Sequence, residues 1–471
     1  MATPEKPPAG PSDAGCGFLG REPELAVLDE LAASDRAELF VLYGRRRVGK
    51  TELLQQFCKR PGRRSVYHLA AQVRDRDNLR GFRDALRDGL GDPLVEGVEF
   101  TDWSAALSFA AERAGDERLV VVLDEFPYLC EGCKGLPSLL QQFWDSRGKR
   151  SRLMLVLCGS QMSFMEKEVL AERSPLFGRR TAQRRLEPLP PAEALRFFPR
   201  WKLADRVLAY AILGGMPAYL QRFDDRRSLR ENLLRELLRP EGYLFDEVNF
   251  LLRTELTNPA TYNSILGAVA GGAERVGDIA LWVGVDSTTA NKYLHVLREL
   301  RLVDREIPVT DPDPLRSRRG TYRVADRFVA FHFRHLQPHL SLVEAGRGAS
   351  VLERFIEPDL ARLWDEARTD FVLDHLARRA AELLDEEVVE VGRSRGAWVR
   401  AVGRLEGGGS VAAVVRPDGV GGGRPSTADL ERELGELEQA FGRPPRTLEY
   451  GMGENPDRPL TVRAVPPGEL L

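Results

Sequence analysis

Short apolar runs alternate with amphipathic stretches from residue 18 to residue 186. Four runs, at 39–43, 65–69, 119–123 and 153–158, have the length of strands and are mostly apolar on both alternating faces. Such runs are typical of a parallel sheet that is covered by helices on both sides. Residues 18–186 are therefore predicted to form an α/β domain, a three-layer structure around a parallel sheet.

The pattern becomes helical after residue 186. Apolar residues recur at helical spacing in the segments 192–198, 204–213, 217–223 and 229–238. Residues 187–256 are therefore predicted to form a small helical lid beside the α/β domain.

Residues 257–336 have the layout of a winged helix-turn-helix. Helices are predicted at 262–269, 276–282 and 287–300, followed by strands at 303–308 and 321–324. Asp286 or Ser287 is expected to cap the third helix, and Ala290, Leu294 and Leu297 share the face that packs inward. The residues expected to contact DNA from the opposite face and from the hairpin are Thr288, Thr289, Asn291, Lys292, Arg318 and Arg319.

The basic excess of this segment is slight, although Arg316 and Arg323 add further charge to the hairpin. A winged helix that packs against another domain and never touches DNA is therefore an equally good interpretation.

Residues 337–349 are predicted to be a linker, and residues 350–471 a second mixed α/β domain. A helical stretch at 360–384 precedes strands at 388–391, 398–402 and 410–415, and a last helix is predicted at 429–440. The glycine-rich segments at 407–409 and 419–423 are predicted to be loops.

The first apolar run leads directly into Gly44-Arg45-Arg46-Arg47-Val48-Gly49-Lys50-Thr51, and Glu52 follows in an amphipathic segment. This is the G-x-x-x-x-G-K-[ST] pattern of a phosphate-binding loop. The glycines allow a backbone path whose N–H groups point at phosphate oxygens, the lysine reaches the terminal phosphates, and the threonine ligates Mg²⁺. Residues 44–52 are therefore predicted to bind ATP together with Mg²⁺.

The third apolar run ends in two carboxylates, Asp124 and Glu125. In this position Asp124 is expected to hold Mg²⁺ through water, and Glu125 to polarise the attacking water. This division of roles favours ATP hydrolysis over phosphate transfer to another substrate.

Composition narrows the class of protein. The chain has 471 residues, of which 43% are hydrophobic and 30% charged, and its formal net charge is -3. A net charge near zero gives no overall attraction to nucleic acid, so DNA binding would depend on a local patch.

The five cysteines are odd in number and scattered, which favours free thiols, including the Cys130/Cys133 pair. Residues 1–17 are predicted to be a disordered tail without signal-peptide layout, and with no apolar run long enough to span a membrane the chain is expected in the cytoplasm.

Several segments together resemble the archaeal-type ATPase family, which belongs to the P-loop proteins near the AAA+ and STAND groups. They are the residues 18–25, the phosphate-binding loop, the strand that ends in Asp124 and Glu125, Gly159-Ser160, and residues 174–181. The resemblance implies that Gly20 and Arg21 lie beside the nucleotide, that Ser160 positions the attacking water, and that Pro217 meets the adenine. It also implies that Arg179 or Arg180 is the arginine finger, which neutralises charge on the transferred phosphoryl group.

The same resemblance implies a C-terminal domain of the restriction-endonuclease-like PD-(D/E)XK type. A working nuclease of this type needs an Asp and a Glu-x-Lys on adjacent strands to hold a metal. Residues 398–402 and 411–416 lack both, and Glu366 is a single matching carboxylate. We therefore expect a degenerate nuclease fold that binds a partner or dimerises.

Two functions follow from the sequence. In the first, ATP binding and hydrolysis reposition the winged helix and control binding to double-stranded DNA. In the second, the chain is a nucleotide-controlled signalling or regulatory scaffold that binds a protein partner, or a second copy of itself, and not DNA.

Overall fold

A computed structural model of the chain describes residues 18–256, 258–415, 426–453 and 459–465. The predicted tail at 1–17 and the predicted loop at 419–423 lie outside the described residues. None of the described helices is long and apolar enough to cross a membrane.

Residues 18–186 contain a five-stranded parallel sheet with the strand order β2-β3-β4-β1-β5. Its strands are β1 (Glu38–Tyr43), β2 (Arg64–Leu69), β3 (Leu119–Asp124), β4 (Leu153–Gly159) and β5 (Ala182–Arg185). The first four were predicted. The fifth was missed because its sequence, Ala-Gln-Arg-Arg, is polar, and an edge strand needs no apolar face of the kind that a central strand buries.

The helices of this domain cover both faces of the sheet. They are α1 (Glu22–Ala33), α2 (Lys50–Cys58), α3 (Asp75–Leu90), α4 (Trp103–Ala114), α5 (Phe126–Gly132), α6 (Leu136–Ser146) and α7 (Met162–Phe164). Successive residues of β1 point to opposite faces, so that Leu39 and Val41 join one apolar core while Phe40 and Leu42 join the other. This two-sided burial explains the continuous apolar runs of the sequence.

The segment after the sheet is helical, as predicted. Its helices are α8 (Pro191–Leu195), α9 (Leu203–Leu213), α10 (Pro217–Leu220), α11 (Leu229–Glu236) and α12 (Glu247–Glu255). They share one apolar core with Phe40 and Leu42 of the sheet, which places the helical segment directly against one face of the α/β domain.

Three helices and an antiparallel hairpin follow, in the order that the sequence predicts. They are α13 (Pro259–Ala270), α14 (Val276–Val283), α15 (Ser287–Glu299), β6 (Val303–Glu306) and β7 (Thr321–Val324). We call this part the helix–hairpin unit. The side chain of Asp286 accepts a hydrogen bond from the backbone N–H of Thr289 and caps α15, while Ala290, Leu294 and Leu297 are buried, as predicted.

The remaining chain forms helices and a second sheet. The helices are α16 (Arg327–Phe331), α17 (Leu340–Glu344), α18 (Gly348–Val351), α19 (Leu360–Arg378), α20 (Ala381–Leu384) and α21 (Thr427–Phe441). The segment 337–349, which the sequence assigns to a linker, thus contains helical turns, and Val343 within it is buried.

The second sheet has the order β12-β11-β10-β9-β8. Its strands are β8 (Val388–Arg393), β9 (Val399–Leu405), β10 (Ser410–Val415), β11 (Arg446–Met452) and β12 (Leu460–Val465). All neighbours are antiparallel except β10 and β11. The last two strands were missed because charged residues and glycine interrupt β11, and because β12 is a largely exposed edge strand.

Candidate nucleotide-binding and catalytic site

The phosphate-binding loop connects β1 to α2, as the sequence predicts. Gly44 lies so close to the next segment that a Cβ atom would come within 2.5 Å of the carbonyl oxygen of Leu186. Gly49 caps α2 with a φ of 92°, which favours glycine, and Val48 is fully buried beneath the loop. The loop therefore presents backbone N–H groups at the positive end of α2, where an anionic group is stabilised.

Lys50 is held inside this loop. Its Nζ donates hydrogen bonds to the carbonyl oxygens of Gly44 at 2.8 Å and Arg45 at 3.0 Å. Burial lowers the pKa of Lys50, and the nearby carboxylates of Glu125 and Asp124 oppose that effect. The ammonium group is thus held against the backbone of the loop that the sequence predicts to bind phosphate.

Asp124 is surrounded by donors at the end of β3. One carboxylate oxygen accepts hydrogen bonds from Thr51 at 2.8 Å and from the Tyr67 hydroxyl at 2.6 Å, and the other accepts from the backbone N–H of Glu125 at 2.9 Å. The structure therefore brings together the two residues predicted to hold Mg²⁺. Tyr67 was not predicted, because nothing in the sequence distinguishes it from a core tyrosine of β2.

The oxygen atoms of Thr51 and Asp124 fit a magnesium ion, which prefers oxygen ligands and keeps several waters. Among the described residues, no group of three His, Cys, Asp or Glu side chains could hold a metal ion by itself. Phosphate oxygens and water would have to complete the coordination, as is usual for Mg²⁺ at a nucleotide.

Glu125 and Ser160 meet at the carboxyl ends of β3 and β4. The Ser160 hydroxyl lies 2.9 and 3.1 Å from the two carboxylate oxygens of Glu125, to which it donates. Glu125 has a positive φ of 54°, which is uncommon outside glycine and turns its side chain out of the strand direction. Ser160 is buried, so this hydrogen bond fixes the carboxylate in one orientation.

Arg21 and Pro217 lie against the phosphate-binding loop, whereas the atoms nearest to a Cβ added at Gly20 belong to Glu193 and Leu189. The buried guanidinium of Arg21 donates to the carbonyl oxygens of Val48 at 3.0 Å and Glu187 at 2.7 Å. Pro217 lies beside Gly49, where an added Cβ would be 3.7 Å from its ring. Gly20 precedes Arg21, and both have positive φ. Arg21 therefore supports the loop by a hydrogen bond to the backbone carbonyl oxygen of Val48.

The comparisons with known proteins agree with this geometry. The model of an ATPase domain found predominantly in Archaea matches residues 18–223. An uncharacterized protein of Methanocaldococcus jannaschii, MJECL04, is 33% identical over 329 residues, which are 70% of this chain and 71% of that protein. The chain belongs to the archaeal-type ATPase family.

Two solved structures are similar to this chain. The Walker-type ATPase PABY2304 of Pyrococcus abyssi has a TM-score of 0.50 at 21% identity and covers 67% of this chain and 96% of its own. The ORC2 protein of Aeropyrum pernix, solved as ADPNP and ADP complexes, has a TM-score of 0.41 at 16% identity over 72% of this chain and 93% of its own. The likeness to PABY2304 concerns the fold alone, and it agrees with the parallel sheet and the loop described above.

The three arginines of the phosphate-binding loop, Arg45, Arg46 and Arg47, are all paired; we call them the arginine triad. Arg45 donates to a carboxylate oxygen of Asp326, at the start of α16, at 2.7 Å. Arg47 donates to Glu247, at the start of α12, at 2.9 Å. The triad of this ATPase is thus bound by carboxylates that lie outside the α/β domain.

Arg46 has two partners. It donates to the Tyr128 hydroxyl at 3.0 Å, and its Nε lies 3.4 Å from a carboxylate oxygen of Glu255, the last residue of α12. The sequence pattern gives no hint of these carboxylates, because acidic residues on helices usually face solvent. The available signal was the run of three arginines itself, since partly buried guanidinium groups require counter-charges.

Arg179 and Arg180 contact other parts of the ATPase. Arg179 makes a two-pronged ion pair with Asp145 of α6, with its Nη2 at 2.7 Å and its Nε at 3.1 Å from the carboxylate. Arg180 donates to the carbonyl oxygen of Leu170 at 3.0 Å. Neither side chain forms a hydrogen bond with the loop among the residues that the structure describes. Glu52 is exposed on α2.

All but one of the predicted DNA-contacting residues are exposed on the helix–hairpin unit. The side chains that are exposed there are Thr288, Asn291, Lys292, Arg318 and Arg319. Thr289 is half-buried, and its hydroxyl donates to Asp286 at 2.6 Å. Arg323 forms ion pairs with Asp304 and Glu306 across the hairpin, so the charge that the sequence assigns to it is locally neutralised.

Glu366 does not stand alone in the C-terminal part of the chain. Its carboxylate is paired with the guanidinium groups of Arg327, Arg334 and Arg362. Three cations around one carboxylate leave it no free charge for a metal ion. The described strands β9 and β10 carry no acidic side chain.

Proposed function

We propose that this chain binds ATP with Mg²⁺, hydrolyses it, and uses its nucleotide state to control binding of double-stranded DNA by the helix–hairpin unit. The observation that best supports hydrolysis is the hydrogen bond from Ser160 to Glu125, which lies beside the Thr51–Asp124 pair. This arrangement supplies an oriented base and an oxygen-rich metal position at the end of one phosphate-binding loop.

In this proposal the loop and Lys50 bind the β- and γ-phosphates. Glu125 orients a water molecule and accepts its proton while the oxygen attacks the γ-phosphorus, and the bond to the β-phosphate oxygen breaks to release ADP. When bound between Thr51 and Asp124, Mg²⁺ neutralises charge on the phosphates. Ser160 acts as a positioning residue because it holds Glu125 and not the nucleotide.

The arginine finger in this proposal is Arg180 rather than Arg179. Arg179 already has a counter-ion in Asp145, whereas Arg180 contacts only a carbonyl oxygen and lies over the ring of Phe177 among the described contacts. Less binding energy would be lost when Arg180 turns toward a phosphate.

DNA binding is supported by the exposed side chains of α15 and the hairpin. Lys292, Arg318 and Arg319 supply positive charge on that exposed side, and Thr288 and Asn291 can donate to phosphates or bases. Its link to ATP is supported by the pair between Arg45 and Asp326, which lies two residues after β7.

The test is ATP hydrolysis by the full chain with and without double-stranded DNA. Lys50→Ala and Glu125→Gln should each abolish turnover, and DNA should stimulate the wild type. Lys292→Ala with Arg318→Ala should weaken DNA binding and reduce its dependence on salt. Tight ATP binding without turnover, or hydrolysis that DNA leaves unchanged, would contradict the proposal.

A second function, binding of a protein partner in place of DNA, is favoured by one observation. Leu281 and Trp282 on α14 are 84% and 64% exposed, and adjacent large apolar side chains of this kind are typical of protein contacts. Leu281→Ser with Trp282→Ser should then abolish partner binding and leave ATP hydrolysis unchanged.

The C-terminal sheet is proposed to be a binding or dimerising module of the degenerate nuclease type. Support comes from strands β9 and β10, where a nuclease would need acidic ligands and where the described side chains are apolar, small or basic. Metal-dependent DNA cleavage by the full chain, retained in Lys50→Ala, would contradict this.

A further inference from the structure

The last residue of α12, Glu255, lies directly beside the phosphate-binding loop. Its carboxylate is 3.4 Å from Arg46, and only 14% of its side chain is exposed. Burial raises the pKa of Glu255, and the opposing charges are Arg46, Arg45 and Lys50. The Glu255 carboxylate thus interacts with the positive charges of the loop that would otherwise be available to a phosphate.

The space around Glu255 is small. A cavity of about 10 Å³ lies between the loop, Ser160, the helix α12 and the residues that follow α15, and Glu255 is part of its wall. About this much volume is needed for one water molecule, and a phosphoryl group needs several times more. The lining residues are Arg45, Arg46, Ser160, Met162, Leu251, Glu255, Leu300 and Leu302.

Ser160 indicates which part of the proposed nucleotide site this cavity corresponds to. It holds Glu125, the residue that orients water toward the γ-phosphorus in the proposed function, so the cavity lies on the side of the loop that the γ-phosphate must enter. In the proposed function the β-phosphate would bind to the backbone N–H groups of the loop and the start of α2. Room and charge are therefore restricted at the γ position specifically.

We infer that Glu255 is the residue that makes this site distinguish ATP from ADP. The γ-phosphate and the Glu255 carboxylate compete for Arg46 and for the same space, so ATP displaces the end of α12 from the loop and ADP does not. This inference rests on the proposed nucleotide binding and adds its regulation.

Displacement of α12 would affect the segment that follows α15. Leu300 and Leu302, which follow α15, share the cavity with Glu255 and are buried there. The same movement therefore reaches the helix–hairpin unit, and the presence of the γ-phosphate is communicated to the candidate DNA-contacting helix.

Glu247 provides a matched control. It lies at the other end of α12, is also paired with an arginine of the triad, and lies outside the wall of the cavity with Ser160. Glu247→Gln and Glu255→Gln thus each remove one carboxylate charge from the same helix and one ion pair from the same loop.

The experiment measures the affinity of the full chain for ADP and for the non-hydrolysable analogue AMPPNP, each with Mg²⁺. Glu255→Gln should tighten AMPPNP binding about tenfold, equal to about 1.4 kcal/mol, and change ADP binding less than about twofold. Glu247→Gln should change both affinities by the same factor. In the wild type, AMPPNP and not ADP should increase hydrogen exchange at the end of α12.

Equal effects of Glu255→Gln on the two nucleotides, or selective weakening of AMPPNP, would overturn the inference while leaving the proposed function intact. If neither nucleotide binds to the wild type more tightly than to Lys50→Ala, the proposed function fails, and the inference fails with it.

Discussion

The role of Ser160 yields the sharpest prediction on catalysis. Ser160→Ala removes the hydroxyl that donates to Glu125 and leaves the carboxylate free to rotate. A hydrogen bond to a charged group is worth about 1.5–3 kcal/mol, and about 1.36 kcal/mol corresponds to a tenfold change in rate. We therefore expect kcat for ATP hydrolysis to fall about 10- to 150-fold.

Ser160 makes no hydrogen bond to the phosphate-binding loop among the described residues, so affinity for the nucleotide should change less than about twofold. The assays are steady-state turnover at saturating ATP and equilibrium binding of a fluorescent ADP. Ser160→Thr, which keeps the hydroxyl, should recover most of the rate.

A double-mutant cycle gives the decisive control. If Ser160 acts through Glu125, Ser160→Ala should have no further effect on turnover once Glu125→Gln is present. A full additional loss in that background would refute the reasoning, and so would a kcat of Ser160→Ala within about twofold of the wild type.

Three further predictions follow from buried contacts. Tyr67→Phe removes a donor to Asp124 and should raise the Mg²⁺ concentration for half-maximal hydrolysis about tenfold, as metal titrations would measure. Burial lowers the pKa of His332 to about 4, below its unfolded value of about 6.5, so the unfolded state binds the extra proton and stability falls as the pH drops from 6.5 to 4. His332→Leu should therefore remove about 2 kcal/mol of the stability lost between pH 7 and pH 5 in urea denaturation. Asp370→Asn should cost about 1.5–3 kcal/mol of stability by the same method, because Arg327 and Arg393 each lose one charged partner and keep only Glu366 and Glu306, whereas Asp77→Asn at an exposed pair should cost less than about 1 kcal/mol.

The sheet and its loop could be predicted because their sequence signals are local. The strand β3 is apolar at five successive positions and buried on both faces, and its carboxyl end carries Asp124 and Glu125. Parallel strands place such ends at one edge, which agrees with the hydrogen bond between Ser160 and Glu125, although it was the family resemblance that assigned Ser160 to the site. By contrast, β5 is a short, polar edge strand, and β12 is a largely exposed edge strand.

The partners of the arginine triad could not be predicted. Arg45 and Asp326 are separated by 281 positions, and Arg47 and Glu247 by 200. The periodicity of a single sequence does not relate positions that are so far apart in the chain. Each of these carboxylates also lies in a segment whose sequence is typical of an ordinary helix start. These contacts depend on how the helical segment and the helix–hairpin unit pack on the sheet, which is a tertiary property.

The ion pairs of the triad continue into a larger network. Asp326 is followed by Arg327, which donates to Asp370 at 2.7 Å, and Asp370 also pairs with Arg393 of β8. Burial alone would raise the pKa of Asp370, but the surrounding guanidinium groups lower it to about 2, so the carboxylate stays charged. A buried charge is tolerated only while its partners remain in place, because its desolvation is otherwise uncompensated. A phosphate that drew Arg45 away from Asp326 would leave this carboxylate, which also caps α16, without its guanidinium partner. The lost contact must be compensated by the phosphate itself or by rearrangement along the path toward the C-terminal sheet, and this requirement is a physical basis for coupling between the nucleotide and the rest of the chain.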